Sequence, residues 1–108
     1  MADFVRHAAH VLDSEVTIYT VPSGKTAIVI GAQAANTGDV ALPLTMFWTD
    51  ASDGDEPYAL VDTVTVPDDA ALLPVGGKLV LEPADTIRAV ADDDYGDGVD
   101  VTVSVLEL

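Results

Sequence analysis

Two histidines and two acidic loops are the features of this 108-residue chain whose residue types and spacing could do chemistry. His7 and His10 stand three apart, and Asp13 follows three later. On a helix that spacing would gather them on one face, where imidazole nitrogens and a carboxylate could hold a metal ion. Val11, Leu12 and the rest of the segment do not establish a helix, so a pair of surface or interface imidazoles is the expected reading. The stretch Asp50-Ala51-Ser52-Asp53-Gly54-Asp55-Glu56 crowds carboxylates beside a glycine. Asp92-Asp93-Asp94-Tyr95-Gly96-Asp97-Gly98-Val99-Asp100 does so more densely. Calcium takes about six to eight oxygens, which flexible Asp/Gly loops supply. Asp92, Asp94, Asp97 and Asp100 are therefore the calcium candidates. Neither loop carries the twelve-residue, helix-flanked pattern with its final Glu, and a solvated acidic turn is the competing reading. No other cofactor and no other metal is expected.

Catalysis finds little to work with. Ser14, Ser23, Ser52 and Ser104 lie in no nucleophile-elbow context, and the chain has no cysteine. Carboxylate pairs are so common that none stands out. No catalytic residue is assigned, and the chain reads as a structural or binding module. Its aromatics are Phe4, Tyr19, Phe47, Trp48, Tyr58 and Tyr95. A sugar-binding platform needs several exposed rings, and this set supports one only weakly. Phe47 and Trp48 are neighbours on one strand and point to opposite faces. One belongs to the core and the other to a contact. Phe4, Phe47 and Trp48 are the interface candidates.

These residues sit in an unusually charged chain: 19 acids against four Lys and Arg give a formal net charge of −15. Such a chain repels nucleic acid phosphates, which are bound by clustered Lys and Arg. It repels anionic membranes as well. The acids run from Asp3 to Glu107, which suggests a surface suited to concentrated salt, where repulsion is screened within about 3 Å at 1 M. In this the chain resembles proteins of salt-loving archaea and their viruses. An ordinary acidic protein from a marine host is the alternative. The amino terminus lacks a basic region followed by a long apolar run, so no cleaved export signal is expected. The longest apolar stretches, such as Ala27 to Ile30, are too short to span a bilayer as a helix.

The elements that must position these residues read as strands. Glu15 to Val21 alternates and is rich in β-branched residues. Pro22-Ser23-Gly24-Lys25 is a turn. Thr26 to Ala35 is almost wholly apolar and is expected to be a central strand buried on both faces. Asn36-Thr37-Gly38-Asp39 turns the chain into Ala41 to Thr49. There Leu42, Leu44, Met46 and Trp48 share one face, and Pro43, Thr45, Phe47 and Thr49 share the other. After the polar stretch Asp50 to Pro57 come Tyr58 to Val66, the ambiguous Ala70 to Val75, Lys78 to Leu81 and Thr86 to Ala91. In the last strand, Val99, Val101, Val103 and Val105 share a face. Residues 1–14 read as an arm or first strand, and residues 15–108 as the sandwich domain. Turns every 8–12 residues between short strands point to an all-β antiparallel sandwich of seven to eight strands. The expected core includes Val16, Ile18, Ile28, Ile30, Trp48, Val101 and Val103. Half of the residues are apolar in a small chain, so a homo-oligomer is expected to cover what the core cannot.

Tyr19-Thr20-Val21-Pro22-Ser23-Gly24-Lys25-Thr26-Ala27 resembles the opening of small β-sandwich proteins encoded among the virion genes of tailed viruses. Ala35-Asn36-Thr37 and the run from Gly77 to Arg88 resemble their later strands. Leu81-Glu82-Pro83-Ala84-Asp85 is similar to the "leucine, x, x, glycine, aspartate" corner of jelly-roll domains, with Ala84 where glycine is usual. The resemblance covers roughly residues 16–107. It implies a jelly-roll-like sandwich and a virion component: a capsid decoration, or a head- or tail-associated subunit. Its partners would be further copies and other capsid or tail subunits, and its location the virion, assembled in a host cytoplasm. A carbohydrate- or calcium-dependent adhesion module is the alternative function.

Overall fold

The computed structural model describes residues 2–68, 70–75, 78–92 and 98–108. Nine strands follow in order: β1 (Asp3–Val11), β2 (Val16–Thr20), β3 (Ala27–Asn36), β4 (Leu42–Asp50), β5 (Glu56–Val66), β6 (Ala70–Val75), β7 (Leu79–Leu81), β8 (Thr86–Ala91) and β9 (Val99–Glu107). A 3-10 turn, Ala51–Asp53, joins β4 to β5. The strands form two antiparallel sheets. One has the order β1-β9-β3-β6, with β7 also on β3, and the other has the order β2-β8-β4-β5.

The pairings nest. β4 pairs with β5, β3 with β6 and β7, β2 with β8, and β1 with β9. The chain is thus one long hairpin, its tip at residues 51–55, rolled up so that its rungs alternate between two sheets. This is the jelly roll, two Greek keys in a closed pair of sheets. The strand count exceeds the expected seven to eight because one rung is split. β6 covers residues 32–36 of β3 and β7 covers residues 27–29, end to end. Residues 3–11 supply a full strand, paired with β9 over its whole length.

The alternation of β9 sets the core. Val99, Val101, Val103 and Val105 are fully buried, and the residues between them are half-buried. Leu42, Leu44 and Met46 of β4 and Ile87 and Ala89 of β8 meet them from the opposite sheet. Each buried Val, Leu, Ile or Met here contributes about 1.5–3 kcal/mol of transfer free energy.

Four expected core positions are corrected: Val16, Ile28 and Trp48 are half-buried and Ile30 is exposed. In β3 it is Ala27 and Val29 that are buried, whereas Ile28 is half-buried and Ile30 is 45% exposed. A register irregularity between Val29 and Gly31 then turns Ala32 and Ala34 inward. β3 is central, but the described residues cover only one of its faces. Val16 is half-buried as well. In β2 a bulge between Thr17 and Tyr19 puts two consecutive side chains, Ile18 and Tyr19, into the interior.

Buried polar groups are paired. The Asn36 amide donates to the carbonyls of Val40 (2.7 Å) and Val66 (3.1 Å), and its oxygen accepts from Gly38 N (3.0 Å). The Asp85 carboxylate accepts from Ala51 N and Glu82 N, both at 2.9 Å, and so ties the hairpin tip to the corner before β8. Ala84 in that corner has φ 70°, the left-handed region where a Cβ is strained. Gly98, with φ 73°, cannot be replaced: a Cβ there would lie 2.5 Å from Leu12 Cδ2 and 2.7 Å from the Val11 carbonyl oxygen.

Candidate functional site

An open groove of about 620 Å³ lies on the outer face of the four-stranded sheet. Its floor is Phe47. The pleat turns this side chain outward because its neighbours on β4, Met46 and Trp48, face in. Ala59 of β5 and Arg88 of β8 stand directly beside it in register. Thr45, Thr49 and Pro57 complete the walls, and Glu15, Asp55 and Asp62 rim it with carboxylates. Arg88 is held across the groove. Its Nη1 donates to Glu15 Oε1 at 3.0 Å, and its Nε to Thr86 Oγ1 at 3.2 Å. The Thr86 hydroxyl in turn bonds to that of Thr49 at 2.5 Å. Thr45 Oγ1 accepts from Thr63 N at 3.0 Å. The groove combines one ring, fixed hydroxyls and mostly negative charge. It holds no pairing of a nucleophile with a base.

The outer face of the five-stranded sheet differs. Phe4, Leu106, Ile28 and Val80 stand opposite one another across β1, β9, β3 and β7 in one unbroken cross-strand row. Phe4 is 77% exposed and Val80 60%. Ile30 beside the row and Leu73 on β6, 72% exposed, extend the apolar surface. A shallow depression lined by Phe4, Arg6, Ile30 and Ser104 runs along it. At the strand positions facing outward here, Asp100 is the one acid among the described residues, and it contacts the His10 imidazole.

Where β1 approaches β2, a polar cluster closes the edge of the sandwich. The buried Tyr19 hydroxyl donates to Glu107 Oε2 at 2.6 Å. Burial, then that hydrogen bond, then the charge of Glu107 push the phenol well above its ordinary pKa of 10.0. Lys25 Nζ lies 3.9 Å from Glu107 and 3.6 Å from Asp3. The His7 ring packs against Tyr19, centroids 4.8 Å apart.

The residues singled out from the sequence scatter. His7 and His10 lie on a strand, so their spacing sends them to opposite faces, one to Tyr19 and the other to Asp100. Asp92 is exposed and Asp100 half-buried, while Asp94 and Asp97 lie outside the described residues. Among the described residues no three His, Asp or Glu side chains converge as metal ligands. In the other acidic loop Asp50 serves the turn, accepting from Ser52 N (3.0 Å) and Ser52 Oγ (2.6 Å). Phe4 begins the apolar row, and Phe47 floors the groove. Trp48 faces the core side, half-buried, with Tyr58 stacked on it at 4.8 Å. Sequence reading missed Glu15 and Arg88 at the groove. The signal for Arg88 was its outward place in the alternation of residues 86–91, beside Phe47.

No protein-family model matches the chain, and no curated protein matches it in sequence. Solved structures do match. A chain of the acid-stable capsid of the Helicobacter pylori bacteriophage KHP30 superposes with a TM-score of 0.60 at 11% identity, covering 98% of this chain and 86% of that one. A chain from the disulfide-linked pili of Bacillus endospore appendages gives 0.53 at 14% identity, covering 99% and 83%. One from T=1 particles of infectious bursal virus gives 0.58 at 11% identity. This chain spans 31% of that last protein and is itself covered to 99%. The likeness is one of fold.

Proposed function

We propose that the chain is a non-enzymatic structural protein of a virion, working through contacts with further copies and with other virion subunits. The observation that carries this is the apolar row across the five-stranded sheet. An exposed apolar surface of that extent marks a contact with protein, and the described residues offer nothing comparable that would do chemistry. The fold supports the same reading, since similar jelly rolls occur in a phage capsid and in T=1 virus particles. The resemblance of residues 19–27 and 77–88 to virion proteins of tailed viruses narrows it to a capsid decoration or a head- or tail-associated subunit. Such a protein resides on the particle and is assembled in the host cytoplasm. The net charge of −15 suits a particle kept in concentrated salt. The test is antibody labelling of purified particles by negative-stain microscopy. Label at regular positions on the particle is expected. A protein found only in the unassembled fraction overturns the reading.

The groove over Phe47 favours a second reading, a sugar-binding adhesion module, since a ring with flanking hydroxyls and carboxylates can hold a pyranose. Glycan-array binding lost in Phe47→Ala would establish it, and an array without binding would remove it.

A further inference from the structure

The virion reading leaves open what lies against the apolar row, and the inference below rests on that reading. We propose that the outer face of the five-stranded sheet is the contact between two copies of this chain, packed face to face.

Charge decides the direction of approach. Each copy carries −15, so two copies meeting through their acidic surfaces repel one another. The groove face is rimmed by Glu15, Asp55 and Asp62. The hairpin tip carries Asp50, Asp53, Asp55 and Glu56. On the five-stranded sheet the outward strand positions hold one acid, Asp100, which has His10 against it, and one arginine, Arg6. This is the face on which like charges stay apart when copies meet.

Chemistry then selects the occupant. A cationic partner would be drawn to the acidic surfaces, not here. A face of Phe4, Leu106, Ile28, Val80, Ile30 and Leu73 asks for an apolar, uncharged counterpart, and the same face of a second copy is one. A two-fold relation lets a patch pair with itself. Size agrees. The molecule measures 42 × 27 × 20 Å, so a whole broad side spans on the order of 1,000 Å², an upper bound for this face. A stable interface takes about 800 Å² from each partner.

The experiment is multi-angle light scattering and sedimentation equilibrium of the full chain at molar salt, where repulsion between copies is screened. The expected mass is twice 11.2 kDa. Ile30→Asp with Leu73→Asp should weaken the dimer at least 100-fold while the far-ultraviolet dichroism stays that of the folded chain. Phe47→Asp, on the opposite sheet, should leave it intact. Because Ile30 and Leu73 are exposed, the double variant is expected to fold; Val80→Asp serves as a second probe should it fail. A strict monomer at about 100 μM overturns the proposal, as does a dimer indifferent to Ile30→Asp, Leu73→Asp and Val80→Asp. A monomer that still decorates particles sinks the dimer while leaving the virion reading in place. A dimer absent from particles does the reverse.

Discussion

On the four-stranded sheet the outward positions are Thr45, Phe47, Arg88 and Val90, with Glu15, Asp55 and Asp62 around them. On the five-stranded sheet they include the apolar Phe4, Leu106, Ile28, Ile30, Leu73 and Val80, with Arg6, His10, Asp100, Thr102 and Ser104 on the same face. Both surfaces come from strands of similar inner chemistry, Val, Leu, Met and Ala facing one shared core. The difference lies wholly in the alternate residues. In the sequence the acids look evenly dispersed. In space most of the described acids fall on one sheet face, on the turns and at the β1–β9 edge, and leave the outer face of the five-stranded sheet nearly bare. Even spacing along a chain therefore says little about evenness over a surface, because the pleat sorts odd from even positions.

The largest effect that sharpens this comparison is the contrast between inward and outward apolar residues. Leu44→Ala, fully buried on β4, should cost about 2–5 kcal/mol of unfolding free energy. Ile30→Ser on the outer face should stay within about 0.5 kcal/mol in dilute protein. Chemical denaturation measures both, and a comparable loss at Ile30 would mean that the outer face is part of the core.

The acidic face should announce itself through salt. Melting temperature should rise from millimolar to molar salt as repulsion is screened. Asp55→Asn with Asp62→Asn should raise it in dilute buffer and change it little at molar salt. A melting temperature flat across that range would remove repulsion from the account.

At the edge between the two sheets, alkali provides the next test. The folded state raises the Tyr19 pKa above its ordinary 10.0, so the unfolded chain releases this proton first. The stabilisation is fully present below pH 10 and is lost as pH rises beyond it. Unfolding free energy should fall above pH 10 more steeply in the parent chain than in Tyr19→Phe. Parallel curves would show that Tyr19 does not govern this edge.

The smallest effect lies off both faces. Ala84 sits at φ 70° in the corner where related motifs place glycine. Ala84→Gly should stabilise by about 0.5–1 kcal/mol, the relief of a strained Cβ less the entropy of glycine. A loss of stability would mean that the Ala84 methyl packs better than its backbone suggests.

Much of this architecture was legible. Val99 to Val105 alternate so regularly that their burial followed directly, as did the inward set Leu42, Leu44 and Met46. The turn at residues 82–85 was legible from its Pro and Asp. What failed was parity where alternation is missing. Thr26 to Ala35 is apolar throughout, so nothing in the pattern says whether Ile28 or Val29 points in, and the register irregularity at Gly31 reverses the count midway. The bulge that buries Tyr19 beside Ile18 is equally silent. The groove was half-visible: Phe47 stood out as one of few aromatics, but Arg88 reaches it through the β4–β8 pairing and Glu15 from just before β2, which pairs with β8, both far from Phe47 in sequence.

The nesting of the strand pairs also orders events in time. β4 and β5 are joined by five residues, whereas β1 and β9 stand at the two ends of the chain. Closure entropy grows with the length of the intervening chain, so pairing proceeds most readily from the tip outward. Pulsed hydrogen exchange should accordingly protect β4 and β5 before β1; early protection of β1 would reverse this order. The apolar row draws Phe4 from the outermost pair and Ile28 from an inner one. It exists as a continuous surface only after the last rung has closed. A chain still folding presents an incomplete face, so the proposed contact between copies would have to wait until each copy is finished.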